Sequence, residues 1–303
     1  MRPLAQKMAD PSSRRRRGSP LAAGGQKMTH PDRPLLIFGD EVSTWYDGHL
    51  NTVGIQKEPP EVGETQKIID DVHEQKGYAI LAHPLSKRKP WKNWQVKNFD
   101  GIEVFCFSDN FYDESVFLIL KALFLPPKSF LESTLKTPEA GLGLWDSKLG
   151  SGRKISGFSA VDAHLKFKLG NLVLENYSLY LQSTTMYVFA DGLNERKITE
   201  SLGKGRGFAA FEVRGLAQDF TFSALNNGST YQIGDSLKAG SPVQFQVKSP
   251  ETADIYLIHN GNVIQKAHGT TLEYSSNGEA GFYRVEVYLN GALWIFSNPI
   301  YLE

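Results

Sequence analysis

The sequence predicts an α/β domain followed by a small antiparallel β-sandwich. Short apolar runs alternate with helical patterns over residues 34–215, and the helical patterns then stop. From there, Asn-Gly pairs punctuate alternating strands to the end of the chain. Strands alternating with helices imply a parallel sheet or barrel whose strand C-termini gather on one rim.

In chain order, Leu35, Leu36, Ile37 and Phe38 form a continuous apolar run of the buried-strand kind, leading into Gly39, Asp40 and Glu41. From Glu64 to Lys76 the spacing of Ile68, Ile69 and Val72 predicts an amphipathic helix with Gly77 as its stop. Tyr78 to Ala82 reads as a strand ending at His83-Pro84, and Asp100 to Phe107 as a third strand. A largely helical stretch is expected from Asp113 to Leu149, broken at Pro126 and Pro127, followed by a fourth strand from Lys154 to Val161 that ends at Asp162. A strand from Thr185 to Phe189 and a helix around Asn194 to Leu202 complete the domain. Beyond it, Asn260-Gly261 and Asn290-Gly291 are hairpin signals flanked by β-formers.

The tail over residues 1–33 has no apolar periodicity, is rich in Arg, Pro, Ser and Gly, and contains the run Arg14 to Arg17. It reads as a disordered basic tail, and Pro20 to Gly25 is too short and too weak an apolar stretch for a signal peptide. The expected division is therefore 1–33 tail, 34–215 α/β domain and 216–303 sandwich. Lys plus Arg and Asp plus Glu each number 33. The resulting zero net charge gives no whole-protein field to gather nucleic acid or an anionic membrane. No apolar run is long enough to span a bilayer, and a lone cysteine, Cys106, excludes an intramolecular disulfide. The expected location is cytoplasmic.

The chemistry-bearing residues are Glu41, His49, His83, Asp162 and His164, each near the end of a short apolar run. Carboxylates and imidazoles brought by separate strands to one rim are how a divalent-metal hydrolase site is built. Ala-His-Pro after a buried strand holds an imidazole at such a rim, and Asp162 and His164, two residues apart in extended chain, point the same way. Lys87, Arg88 and Lys89 follow His83 and are candidates to hold a substrate anion, against the alternative of a solvated loop. His73, His259 and His268 read as surface residues, and Cys106 as a buried apolar filler.

The segments Gly39-Asp40-Glu41-Val42-Ser43, Gly48-His49-Leu50-Asn51, Ala82-His83-Pro84, Gly101-Ile102-Glu103-Val104 and Ser159-Ala160-Val161-Asp162-Ala163-His164 resemble, in order and spacing, motifs of the PHP (polymerase and histidinol phosphatase) domain. The resemblance covers residues 34–215, and the stretches 281–287 and 294–301 are similar to the β-domain that follows some bacterial members. It implies a distorted (β/α)7-type barrel, TIM-like in plan, that hydrolyses a phosphomonoester or phosphodiester of a small substrate by metal-activated water. It also implies zinc, manganese or iron as cofactor. Glu41 would bridge two metals, His49 and His83 would complete the second site, Asp162 would belong to the first and His164 to the third, with Asp162 and His164 as catalytic groups. The family's opening His-x-His and Thr-Asp-His motifs are missing, so the expected barrel lacks its first one or two units. Only Glu41, His49 and His83 then remain as a complete three-ligand set for one ion. The alternative expectation is a degenerate or truncated domain that binds metal or a partner without turnover.

Overall fold

The computed structural model describes residues 34–44, 46–60, 63–112, 121, 124–163, 168–169, 172–173 and 180–303. The basic tail and His164 lie outside these residues. Strands β1 (Gly39–Thr44), β2 (Gly48–Val53), β3 (Tyr78–Ala82), β4 (Gly101–Cys106) and β5 (Ser156–Ala160) form a five-stranded sheet in that order. Helix α1 (Thr65–Glu74) precedes β3, while α2 (Phe107–Tyr112), α3 (Pro127–Thr134) and α4 (Glu139–Leu149) lie between β4 and β5.

The barrel expectation is overturned. The chain is 19% helix against 41% strand, with five helices among the described residues, and its strands form two main sheets, one of them a curled half-barrel. It is therefore neither a (β/α)7 nor a TIM-like barrel. Strand polarity explains the difference. Within the first sheet only β3–β4 and β4–β5 run parallel, whereas β1–β2 and β2–β3 are antiparallel. Residues 45–47 between β1 and β2 are too few for a crossover and can make only a hairpin. The first strand is also displaced from the run Leu35 to Phe38. Leu36 and Phe38 are 43% and 47% exposed, and pairing begins at Gly39.

Helix α1 buries Ile68, Ile69 and Val72, as its periodicity predicts, but the left-handed residue that ends it is Lys76 (φ 62°) rather than Gly77. Gly77 serves close approach instead, because a Cβ there would lie 2.8 Å from Ile55 and 3.0 Å from the Val53 carbonyl. Helix α4 approaches β4 still more closely. A Cβ on Gly141 would fall 2.0 Å from the Val104 carbonyl oxygen. In an open helix, Gly→Ala stabilises by about 1 kcal/mol, but here the clash is with backbone. Gly141→Ala is expected to destabilise by about 1–3 kcal/mol, read as a lower urea midpoint; an unchanged or higher midpoint would contradict this packing.

After β6 (Lys168–Leu169) and β7 (Leu172–Val173), which pair only with each other, the chain enters a ten-stranded sheet. β8 (Thr185–Val188), α5 (Glu195–Gly203) and β9 (Gly207–Ala210) are followed by β10 (Thr221–Asn226), β11 (Ser229–Gln232), β12 (Ser236–Leu237), β13 (Val243–His259), β14 (Asn262–Ser276), β15 (Gly281–Leu289), β16 (Ala292–Ser297) and β17 (Ile300–Leu302). The path runs β11-β10-β13-β15-β16-β9-β8, with β14 on β13 and β17 between β12 and β15. The C-terminal strands are linked through β13, whose first half pairs with β10, whose second half pairs with β15, and which pairs with β14 along both. Pairing also crosses residue 215, since β9 joins β16. Both Asn-Gly turns are hairpins with positive φ at Asn260, Gly261, Asn290 and Gly291, the signature of type I′ geometry.

The apolar core of the first sheet continues into the second through Phe282, Leu293, Phe296 and Tyr301. Two polar devices join the sheets. The Asn298 side chain accepts from the Gly157 N–H of β5 (2.7 Å) and donates to the Gly157 and Gly207 carbonyls (both 3.2 Å). Arg284 on β15, 2% exposed, donates from Nε and Nη2 to both Asp146 oxygens on α4 (2.7 and 2.6 Å) and from Nη1 to Glu286 (2.6 Å). No described helix is long and apolar enough to cross a membrane.

Candidate metal centre

The β1–β2 hairpin places the first two ligands. Val42 pairs with Leu50 on the face that enters the core, so the alternate residues Glu41, Ser43, His49 and Asn51 share the other face. Glu41 lies opposite Asn51 and His49 opposite Ser43, which makes Glu41 and His49 diagonal neighbours within reach of long side chains.

The third ligand arrives by a turn. Ala82, the last residue of β3, pairs with His49, and in extended chain His83 would point to the opposite face. Instead His83 adopts φ 29°, in the left-handed region where a non-glycine residue is strained, and its ring meets His49 edge-on with centroids 5.0 Å apart. Ser86 N–H closes the turn on the His83 carbonyl (2.9 Å).

Three donor atoms converge. His49 Nδ1 lies 3.2 Å from His83 Nε2, His83 Nε2 lies 3.9 Å from Glu41 Oε1, and His49 Nδ1 makes a closer contact with the same oxygen. Among the described residues this is the group able to hold a metal ion, its ligand atoms all lying within 4.8 Å of one another. A tetrahedral ion with bonds of about 2.1 Å separates neighbouring ligands by about 3.4 Å. Two of the separations straddle that value, and the Glu41–His49 contact has to open by about 1 Å to reach it. Two imidazoles and one carboxylate are also the donor set of a three-ligand zinc site with an open position, so the residues fit a divalent ion.

The charges of the three groups are coupled. Burial by itself would raise the Glu41 carboxyl, but the His49 hydrogen bond and the adjacent His83 imidazole hold it well below the usual carboxylate range. Burial works to lower His83, yet Glu41, Glu103 and Asp109 outweigh it and raise the imidazole to about 9. The neighbouring carboxyl groups thus favour a proton on His83, which a metal ion would have to displace.

Glu103, inside β4 and 5% exposed, is a further participant, one that the motifs do not mark as a site residue. Its Oε2 accepts the His83 N–H (2.7 Å) and its Oε1 accepts from Asn51 Nδ2 (2.7 Å). Burial pushes its carboxyl up to about 8, against the nearby His83 charge and the His83 N–H, but both of its partners are N–H donors and call for the ionised form. A Glu in the otherwise apolar run Gly101-Ile102-Glu103-Val104-Phe105-Cys106 is the signal that marks it, because a buried carboxylate requires partners.

Asp162 lies just beyond β5 with φ 46°, partly buried, and is not among the three converging ligands; its charge is felt at Glu103. Lys87 and Arg88 are exposed on the turn after His83. Ser86 Oγ anchors that turn by accepting from the Arg88 and Lys89 amides (3.3 and 3.4 Å) and donating to Asp109 (2.9 Å). His73 bonds Asp100 (2.9 Å), His268 bonds Asp254 (2.8 Å), His259 stacks on Tyr283, and Cys106 is buried. No protein-family model matches the chain, and no curated protein matches it either.

Proposed function

We propose that the protein is a divalent-metal-dependent phosphoesterase with one ion per chain, held by Glu41, His49 and His83. The observation that carries this reading is the convergence of two imidazole nitrogens and a carboxylate oxygen within 4.8 Å. When bound, a zinc, manganese or iron ion supplies Lewis acidity toward a phosphoryl oxygen and lowers the pKa of a coordinated water. Three protein ligands leave it a position for substrate or water. The phosphate ester as substrate class rests on the order of the motifs around these residues and on the exposed Lys87 and Arg88, whose charges suit an anionic small substrate. Asp162 retains its expected catalytic role in this proposal, near enough for its charge to act on Glu103.

The test uses the full chain loaded with zinc or manganese and assayed on p-nitrophenyl phosphate and bis-p-nitrophenyl phosphate. Activity is expected to disappear with a chelator and to return on adding metal. Metal uptake without hydrolysis would reduce the protein to a metal-binding domain, and the lack of stoichiometric metal would sink the proposal.

A further inference from the structure

Glu103 has both carboxylate oxygens committed at the centre. One accepts the backbone N–H of His83 and the other the side-chain amide of Asn51, both at 2.7 Å. These contacts reach both sides of the ligand set. Asn51 sits opposite Glu41 in the hairpin register, and the His83 N–H belongs to the residue whose φ of 29° swings its ring onto the His49 face. An L-residue in that region is strained unless its surroundings over-determine it. The surroundings here are the Ser86-to-His83 turn on the carbonyl side and Glu103 on the amide side. Without the carboxylate, a buried N–H and a buried amide would both lose their acceptor, and the strained residue would lose its anchor on the amide side.

From this geometry we infer that Glu103 is the positioning residue of the centre: its carboxylate fixes His83 in the left-handed conformation that presents Nε2 to Glu41 and His49. The inference rests on the metal-site reading for its consequence and on local geometry for its content. The hydrogen bonds of Glu103 go to the His83 backbone and to Asn51, and it acts through them. Partners of this kind are worth roughly 10–100-fold in metal affinity.

The test compares the wild type with Glu103→Gln and Glu103→Asp. Gln keeps the length but turns one acceptor into a donor that opposes either His83 N–H or Asn51 Nδ2. Asp keeps two acceptors on a shorter arm. Zinc affinity is measured by competition with a chromophoric chelator, and the His83 amide and ring resonances by NMR, with His73 and His268 as internal controls. Glu103→Gln is expected to bind zinc 10–100-fold more weakly, with the His83 signals shifted and those of His73 and His268 unmoved, and Glu103→Asp to recover part of the loss. A folded Glu103→Gln that melts lower yet binds zinc at wild-type affinity, with His83 unshifted, overturns the inference and leaves the metal centre standing. If Glu103→Gln does not fold, Glu103→Asp decides: weakened binding supports the inference and wild-type binding overturns it. If the wild type takes up no zinc, the proposed function fails. The inference is then judged in metal-free protein, where an exchange-protected, downfield His83 amide lost in the variants supports it and identical His83 signals overturn it.

Discussion

His83→Ala is expected to abolish stoichiometric metal uptake. Structural zinc sites with four ligands bind with about 10–16 kcal/mol, so removing one ligand of three costs on the order of 3 kcal/mol, roughly a hundredfold in affinity. Two donors then remain, Glu41 and His49, which already contact each other and can satisfy one another without an ion. Glu41→Ala should act as strongly, since it removes the anionic ligand from between two imidazoles. His73→Ala, at a histidine bonded to Asp100 outside the centre, should leave the metal content at its wild-type value. Metal content by plasma emission spectrometry after dialysis separates these outcomes. Equal metal in His83→Ala and wild type would place the ion elsewhere.

Arg284→Ala is expected to cost about 3–5 kcal/mol of folding stability, the range for breaking a buried ion pair from one side. The guanidinium is 2% exposed and holds two carboxylates that face it from different elements, Asp146 on α4 and Glu286 on its own strand. Tyr288 donates to the second oxygen of Glu286 (2.7 Å), which does not replace the lost charge. Removing the cation leaves two buried anions, whereas replacing all three residues by apolar ones of similar volume should recover most of the loss. Guanidinium unfolding of the single and triple variants reads this directly. A loss under about 1 kcal/mol would mean the network behaves as a surface pair.

The pieces legible in the sequence are those fixed by local chemistry. Asn260-Gly261 and Asn290-Gly291 name their turns because the turn type demands positive φ at both positions. Ile68, Ile69 and Val72 set the buried face of α1 through spacing alone, and Tyr78 to Ala82 gives β3 residue for residue. Polarity and partnership were not legible. A short apolar strand looks the same whether its neighbour runs with it or against it, so the antiparallel β1–β2–β3 arrangement could not be told from the parallel one, and the barrel expectation followed. Leu35 to Phe38 outscored Gly39 to Thr44 as a strand on hydrophobicity, although the hairpin register and the Val42–Leu50 core contact favour the latter. The three-ligand centre survives the change of fold, because Glu41, His49 and His83 depend on a hairpin and one turn rather than on a closed rim. Glu103 went unassigned because its role depends on which backbone amide lies beside it, and that is settled by tertiary packing.

Asn298 has a consequence for how the chain can be divided. Its amide makes with Gly157 the pair of bonds that a neighbouring peptide would make, so β5, at the end of the first sheet, is finished by a residue 141 positions further along the sequence. Phe282, Leu293, Phe296 and Tyr301 complete the first sheet's core from the same distant stretch. A chain cut after residue 215 would carry every described ligand of the metal centre, but also an open strand and an uncovered apolar face. Such a fragment invites self-association through that strand, so the C-terminal strands act as the lid and edging of the half that carries the candidate ligand set.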